Sequence, residues 1–161
     1  MQQELAKSAL TVQTTLLNAG LECKVLEFSS STRTAQEAAD AVGCVVSQIV
    51  KSLIFKTAHT QQPVLLLVSG SNRVDEKLVS ALVGEPIGKA SAEFVREVTG
   101  FAIGGVPPCG HATPIELIFI DQDLLVFEQV WAAAGTPHAV FCIATKDLIA
   151  VSGARPVALA L

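Results

Sequence analysis

Hydrophobic positions along the chain follow two rhythms, and the switches between them mark out the elements. Leu5, Ala9, Val12, Leu16 and Leu17 recur at helical intervals, which predicts a helix over Glu4–Asn18 that stops at Gly20. Leu21–Phe28 then reads as a strand. Thr34-Ala35-Gln36-Glu37 has the form of a capping box: the Thr34 hydroxyl accepts from the third backbone amide and Glu37 reaches back. It predicts a helix over Ala35–Val42, ending at Gly43. A helical turn at Ser47–Ile49 leads into Val50–Thr57, and the polar turn Ala58–Gln62 leads on to Pro63–Ser69. These two runs predict an antiparallel hairpin at the sheet centre. Helices over Asp75–Val83 (closed by Gly84) and Ala92–Val98 (ending at Gly100) bracket a short strand, Ile87–Ala90. After Phe101–Val106 and a Pro/Gly turn come strands at Ile115–Ile120, Leu124–Glu128 and Ala139–Ala144, and a last helical turn at Thr145–Ile149. Many strands between short helices, without regular βαβ spacing, predict an α+β fold on a mixed sheet. No repeat, linker or low-complexity run interrupts it, so residues 1–161 read as one domain.

Composition decides what the apolar positions are for. Of the 161 residues, 50% are hydrophobic and 16% charged, with a net charge of −4; mean hydropathy is +0.50. The longest apolar stretches, Pro63–Val68 and Leu124–Phe127, are strand-sized and fall far short of the roughly 18 residues of a spanning helix. Met1-Gln2-Gln3-Glu4 carries an acid and no basic run, which reads against a signal peptide. The surplus is therefore expected to be core, with no membrane partner. The acidic balance argues against gripping nucleic acid by bulk charge. Cys23, Cys44, Cys109 and Cys142 are widely spaced, with no CxxC and no histidine placed to complete a zinc site. They read as small buried hydrophobes in a reducing, cytoplasmic setting, without a metal.

Three places carry candidate chemistry. In an extended segment Lys51 shares a face with Leu53 and Phe55, while Val50, Ser52, Ile54 and Lys56 share the other. Either face mixes a lysine with large apolar groups. Lys51 is then a strand-end lysine reaching water, or a cation aimed into a pocket. Gly100–Gly110 packs four glycines and two prolines into eleven residues. Such a loop is an ordinary turn, or a nest of amides for an anion or oxyanion. It lacks the lysine and Ser/Thr of a P-loop. His138 follows the rigid turn Gly135-Thr136-Pro137. His111 follows the glycine loop, and His59 lies in a polar turn. A Cys109–His111 nucleophile pair is the one covalent alternative.

Taken together, Lys51 after the Thr34–Gly43 segment, the Gly104-Gly105-Val106-Pro107-Pro108 loop with its GxxxP spacing, and Val130-Trp131 through Gly135-Thr136-Pro137-His138 resemble the YbaK/EbsC family of aminoacyl-tRNA deacylases. That family is similar to the editing domain of bacterial prolyl-tRNA synthetase. The resemblance runs through nearly the whole chain in order. It implies a mixed, partly closed, barrel-like sheet flanked by helices, and hydrolysis in trans of the ester joining a wrong amino acid to tRNA. The tRNA is typically tRNA(Pro), carrying Ala, Cys or 2-aminobutyrate, and no cofactor is needed. Lys51 would match the essential lysine, and Gly104 and Gly105 the loop that positions the carbonyl. Val106, Pro107, Pro108, His138, Phe28 and Thr34 would contact substrate. The implied partners are the aminoacylated 3′ end of tRNA and a prolyl-tRNA synthetase, with a homodimer as a further expectation. The rival functions are a non-catalytic binding or regulatory module of the same fold and a Cys109-dependent hydrolase.

Overall fold

The computed structural model describes residues 5–161, so the expected start of the first helix at Glu4 and the reading of Met1–Glu4 lie outside the described residues. The helices are α1 (Lys7–Asn18), α2 (Ala35–Val42), α3 (Glu76–Val83), α4 (Ala92–Thr99) and α5 (Thr145–Ser152). The strands are β1 (Val25–Glu27), β2 (Ile49–Thr57), β3 (Pro63–Ser69), β4 (Ile87–Lys89), β5 (Leu117–Asp121), β6 (Gln129–Ala133), β7 (Ala139–Ala144) and β8 (Arg155–Val157). All eight strands form one mixed sheet in the order β1-β7-β6-β2-β3-β5-β8, with β4 also on β2. It does not close, since β1 and β8 remain its two ends.

The β2–β3 hairpin lies at the centre, antiparallel from Val50↔Ser69 to Lys56↔Pro63. Both faces of that hairpin are core, which is why its sequence lacks a clean alternation. Val50, Ile54, Leu65 and Leu67 pack with Ala9, Val12 and Leu16 of α1 and Val95 and Val98 of α4. Phe55, Leu66 and Val68 pack on the opposite face with Val79 of α3. Ala38 and Ala39 of α2 rest on Ile49 and Val140. The capping box is formed: Thr34 Oγ1 accepts from Glu37 N at 3.1 Å, and Glu37 Oε1 accepts from Thr34 N at 3.2 Å.

One expected strand is corrected. Leu124–Glu128 is not a strand; residues Gln122–Val126 coil into a 3-10 turn. Asp121 Oδ1 accepts from Asp123 N at 2.9 Å, and this local side-chain bond wins over the strand-like apolar run. The strand lies just after it, at β6, where Val130 and Ala132 are buried. Phe101–Val106 is irregular, bent by a bond from Gly105 N to Ala102 O at 3.0 Å.

Candidate functional site

The edge of β2 that faces away from β3 is shared by two short neighbours. At its start β2 runs parallel to β6, pairing Ile49↔Trp131 and Val50↔Ala132. At its end it runs antiparallel to β4, from Phe55↔Lys89 to Thr57↔Ile87. No strand is in register with residues 51–54 on that edge. The sheet is split there, and a cavity of about 650 Å³ occupies the split, a volume within the small-molecule range. Because the cavity sits in a gap, side chains of both faces of β2 reach its wall, including Lys51 and Leu53 from one and Ser52 and Ile54 from the other. Small residues, Ala35, Ala38, Ala90, Ala132 and Ala133, make much of the rest.

The charges of the wall all have one sign. Arg33, Lys51 and Lys89 line the cavity, and among the described residues no Asp or Glu does. A chain of net charge −4 thus carries a locally cationic, largely apolar pocket. Lys51 is half-buried and donates to the main-chain carbonyl of Asn72. Burial pushes its pKa below 10.5; the Asp121 carboxylate opposes that shift, and Arg73 adds to it. Lys56, on the other face, stacks 4.8 Å over the Phe94 ring.

The glycine loop reaches the cavity through Gly104 and Val106. Two contacts explain its glycines. A Cβ on Gly105 would meet the Thr136 backbone at 2.8 Å, and Gly105 O accepts from Gly135 N at 2.9 Å. At Gly104, φ is +93° and the Arg33 side chain lies across the Cα. The expected oxyanion role divides unevenly over the loop. The Gly105 N–H is committed to Ala102 O, whereas those of Gly104 and Val106 have no hydrogen-bond partner among the described residues. Pro107 and Pro108 are buried behind the wall rather than in it. His111 Nε2 lies 2.7 Å from Pro107 O and braces the loop; burial lowers its pKa.

Of the other expected contacts, Thr34 lines the cavity at the start of α2. His138 and Phe28 do not. His138 is exposed, its Nδ1 is 3.1 Å from Ser30 O, and its carbonyl accepts from Phe28 N at 2.8 Å. Phe28 packs on the α2 cluster. Both residues join the 28–32 segment to the 135–138 turn and so shape the wall from behind. The Cys109 alternative fails on its surroundings. The thiol is 5% exposed, absent from the cavity wall, and pushed up by burial to about 11, the opposite of a nucleophile's environment. All four cysteines are free thiols. Among the described residues no three His, Cys, Asp or Glu side chains assemble as a metal-ligand set.

The chain belongs to the aminoacyl-tRNA editing domain family, which it matches over residues 29–151. It is 32% identical over 141 residues to the uncharacterized protein YwhH of Bacillus subtilis, covering 88% of each chain. It is 35% identical over 133 residues to a proline–tRNA ligase of Maridesulfovibrio salexigens, a match that takes in 81% of this chain and 22% of the ligase. A solved structure described as a candidate trans-editing enzyme for prolyl-tRNA synthetase shares 50% identity and a TM-score of 0.92, over 98% of this chain and 99% of that one. The hypothetical protein APE2540 shares 29% identity and a TM-score of 0.85, over 94% and 99%.

Proposed function

We propose that this protein is a trans-acting deacylase that hydrolyses the ester of mischarged tRNA, with tRNA(Pro) bearing Ala, Cys or 2-aminobutyrate as the substrate class. One observation carries the reading: a small-walled cavity with Arg33, Lys51 and Lys89 and, among the described residues, no carboxylate, set in a protein that is acidic overall. Such a pocket suits the anionic, aminoacylated 3′ end of a nucleic acid and has no need of a broad basic surface. The alanine-rich wall suits a short side chain. One methylene is worth only about 1–3 kcal/mol of discrimination in an apolar pocket, which makes a second sieve for small residues useful.

The chemistry asks little of the protein. Water attacks the ester carbonyl, the bond to the ribose oxygen breaks, and that oxygen takes up a proton as the free amino acid leaves. A vicinal ribose hydroxyl can orient the water or pass the proton. The developing oxyanion needs donors already in place. The Gly104 and Val106 amides and the two N–H bonds of Lys51 not given to Asn72 are the available ones. The test is a deacylation panel of Ala-, Cys- and 2-aminobutyryl-tRNA(Pro), with Lys51→Ala in parallel. Loss of ester with at least one substrate, abolished in the variant, is expected. No turnover of any panel member would leave a binding module in its place.

A further inference from the structure

Asp121, the last residue of β5, is fully buried. Among the described residues, no Lys, Arg or His is one of its hydrogen-bond partners. Its Oδ2 accepts from Ser69 N at 3.1 Å and from Asn72 Nδ2 at 2.8 Å, and its Oδ1 from Asp123 N at 2.9 Å. A buried carboxylate held only by neutral donors is costly to place, so its surroundings show what it does. Asn72 Nδ2 also donates to Asp123 Oδ2 at 2.8 Å, so both its protons are used. Asn72 N donates to Ser69 O at 2.9 Å. The residue is pinned at three points, and its main-chain carbonyl accepts from Lys51 Nζ.

We propose that Asp121 and Asn72 form a clamp that fixes where the Lys51 ammonium points, making both of them positioning residues for deacylation. The inference rests on Lys51 being the group that acts on substrate. One of its three protons is held by Asn72, so the other two have a fixed direction. Without the clamp, the four-carbon stem of lysine swings freely. The charges that face the ammonium are Asp121 behind Asn72, Arg73 next in the chain, Asp123 beyond the Asn72 carboxamide, and Arg33 and Lys89 across the cavity. The clamp therefore also keeps Asp121, whose charge favours the ammonium, behind Asn72 and out of the cavity wall.

The experiment compares Asn72→Ala, Asp121→Asn and Lys51→Ala with wild type. It follows single-turnover deacylation of Ala-tRNA(Pro) against pH, NMR titration of the Lys51 side chain, and thermal melts. Asn72→Ala keeps Asp121 bonded to the Ser69 and Asp123 amides, so it should fold even if Asp121→Asn does not. The expected result is a rate constant lower by roughly ten- to a hundredfold, the scale of a misplaced group, with substrate binding unchanged. In Asp121→Asn the Lys51 titration should also move to lower pH. A role in stability alone would lower the melting point and leave both readouts where they were. Wild-type rates and titration in the folded clamp variants, beside an inactive Lys51→Ala, would overturn the clamp. Full activity in Lys51→Ala would overturn the reading of the site, and with it the clamp's catalytic purpose.

Discussion

At the scale of single residues, Lys51 makes the sharpest predictions. Removing one preorganised donor to an oxyanion costs about 10²–10³ in rate, so Lys51→Ala should lose at least about a hundredfold in deacylation while its melting curve stays cooperative. Burial holds the Lys51 pKa below 10.5. The unfolded chain therefore binds that proton over a pH range where the folded chain has released it, and stability from this group rises with pH across that window. Its cost is fully present below the folded-state pKa. The melting-point difference between Lys51→Met and wild type should shrink as pH climbs toward 10.5. Deacylation, corrected for spontaneous ester hydrolysis, should fall over the same range as the ammonium is lost. Ser52 makes a different case. Its Oγ is buried with no hydrogen-bond partner among the described residues, and an unsatisfied polar group costs about 1–3 kcal/mol. Ser52→Ala should therefore be as stable as wild type or more so in urea titration, and a clear loss would show that the hydroxyl is bonded.

Among the elements, the glycine loop is where packing and chemistry meet. Gly105→Ala drives a Cβ to 2.8 Å from the Thr136 backbone, and overpacking of that kind costs about 1–3 kcal/mol. The variant should melt lower and deacylate more slowly, because Gly104 and Val106 shift with it. Thr34→Ala breaks the capping box of α2, at about 1 kcal/mol in chemical denaturation. The capping box and the hairpin could be read ahead of the structure because each is written in adjacent residues. β6 could not: Val130 and Trp131 favour a strand but Ala132 and Ala133 do not, and the run is extended because β2 and β7 flank it. β8, Arg155-Pro-Val, is a short end strand on β5. The site divides in the same way. Lys51 and the loop stood out as local anomalies, a charge among apolar residues and a cluster of glycines. Arg33, Lys89, Asn72 and Asp121 are ordinary in their own neighbourhoods. They join the site only because the fold gathers their segments there: Lys89 ends β4, Asn72 lies just past β3, Asp121 ends β5, and Arg33 sits in the segment that leads into α2. His138, conversely, sits in a turn that the fold faces outward, and Phe28 packs on the α2 cluster away from the cavity.

For the whole molecule, net charge and local charge point in opposite directions, and the local one governs the site. Three cations in one cavity can meet only a few phosphates, so the salt dependence of tRNA binding should be shallow. Arg33→Ala with Lys89→Ala should raise KM for full-length tRNA more than for a short aminoacyl-nucleotide ester, measured under matched conditions. The split that holds the cavity has a mechanical consequence as well. Among the described residues, strands β1, β7 and β6 join the rest of the sheet only through the two-residue ladder at Ile49↔Trp131 and Val50↔Ala132. That seam is the shortest ladder in the sheet, and its opening would widen the pocket without breaking the central hairpin. Hydrogen exchange should therefore find the Val50 and Ala133 amides less protected than those of Leu53 and Leu66, and the protein would breathe along the line that borders the pocket.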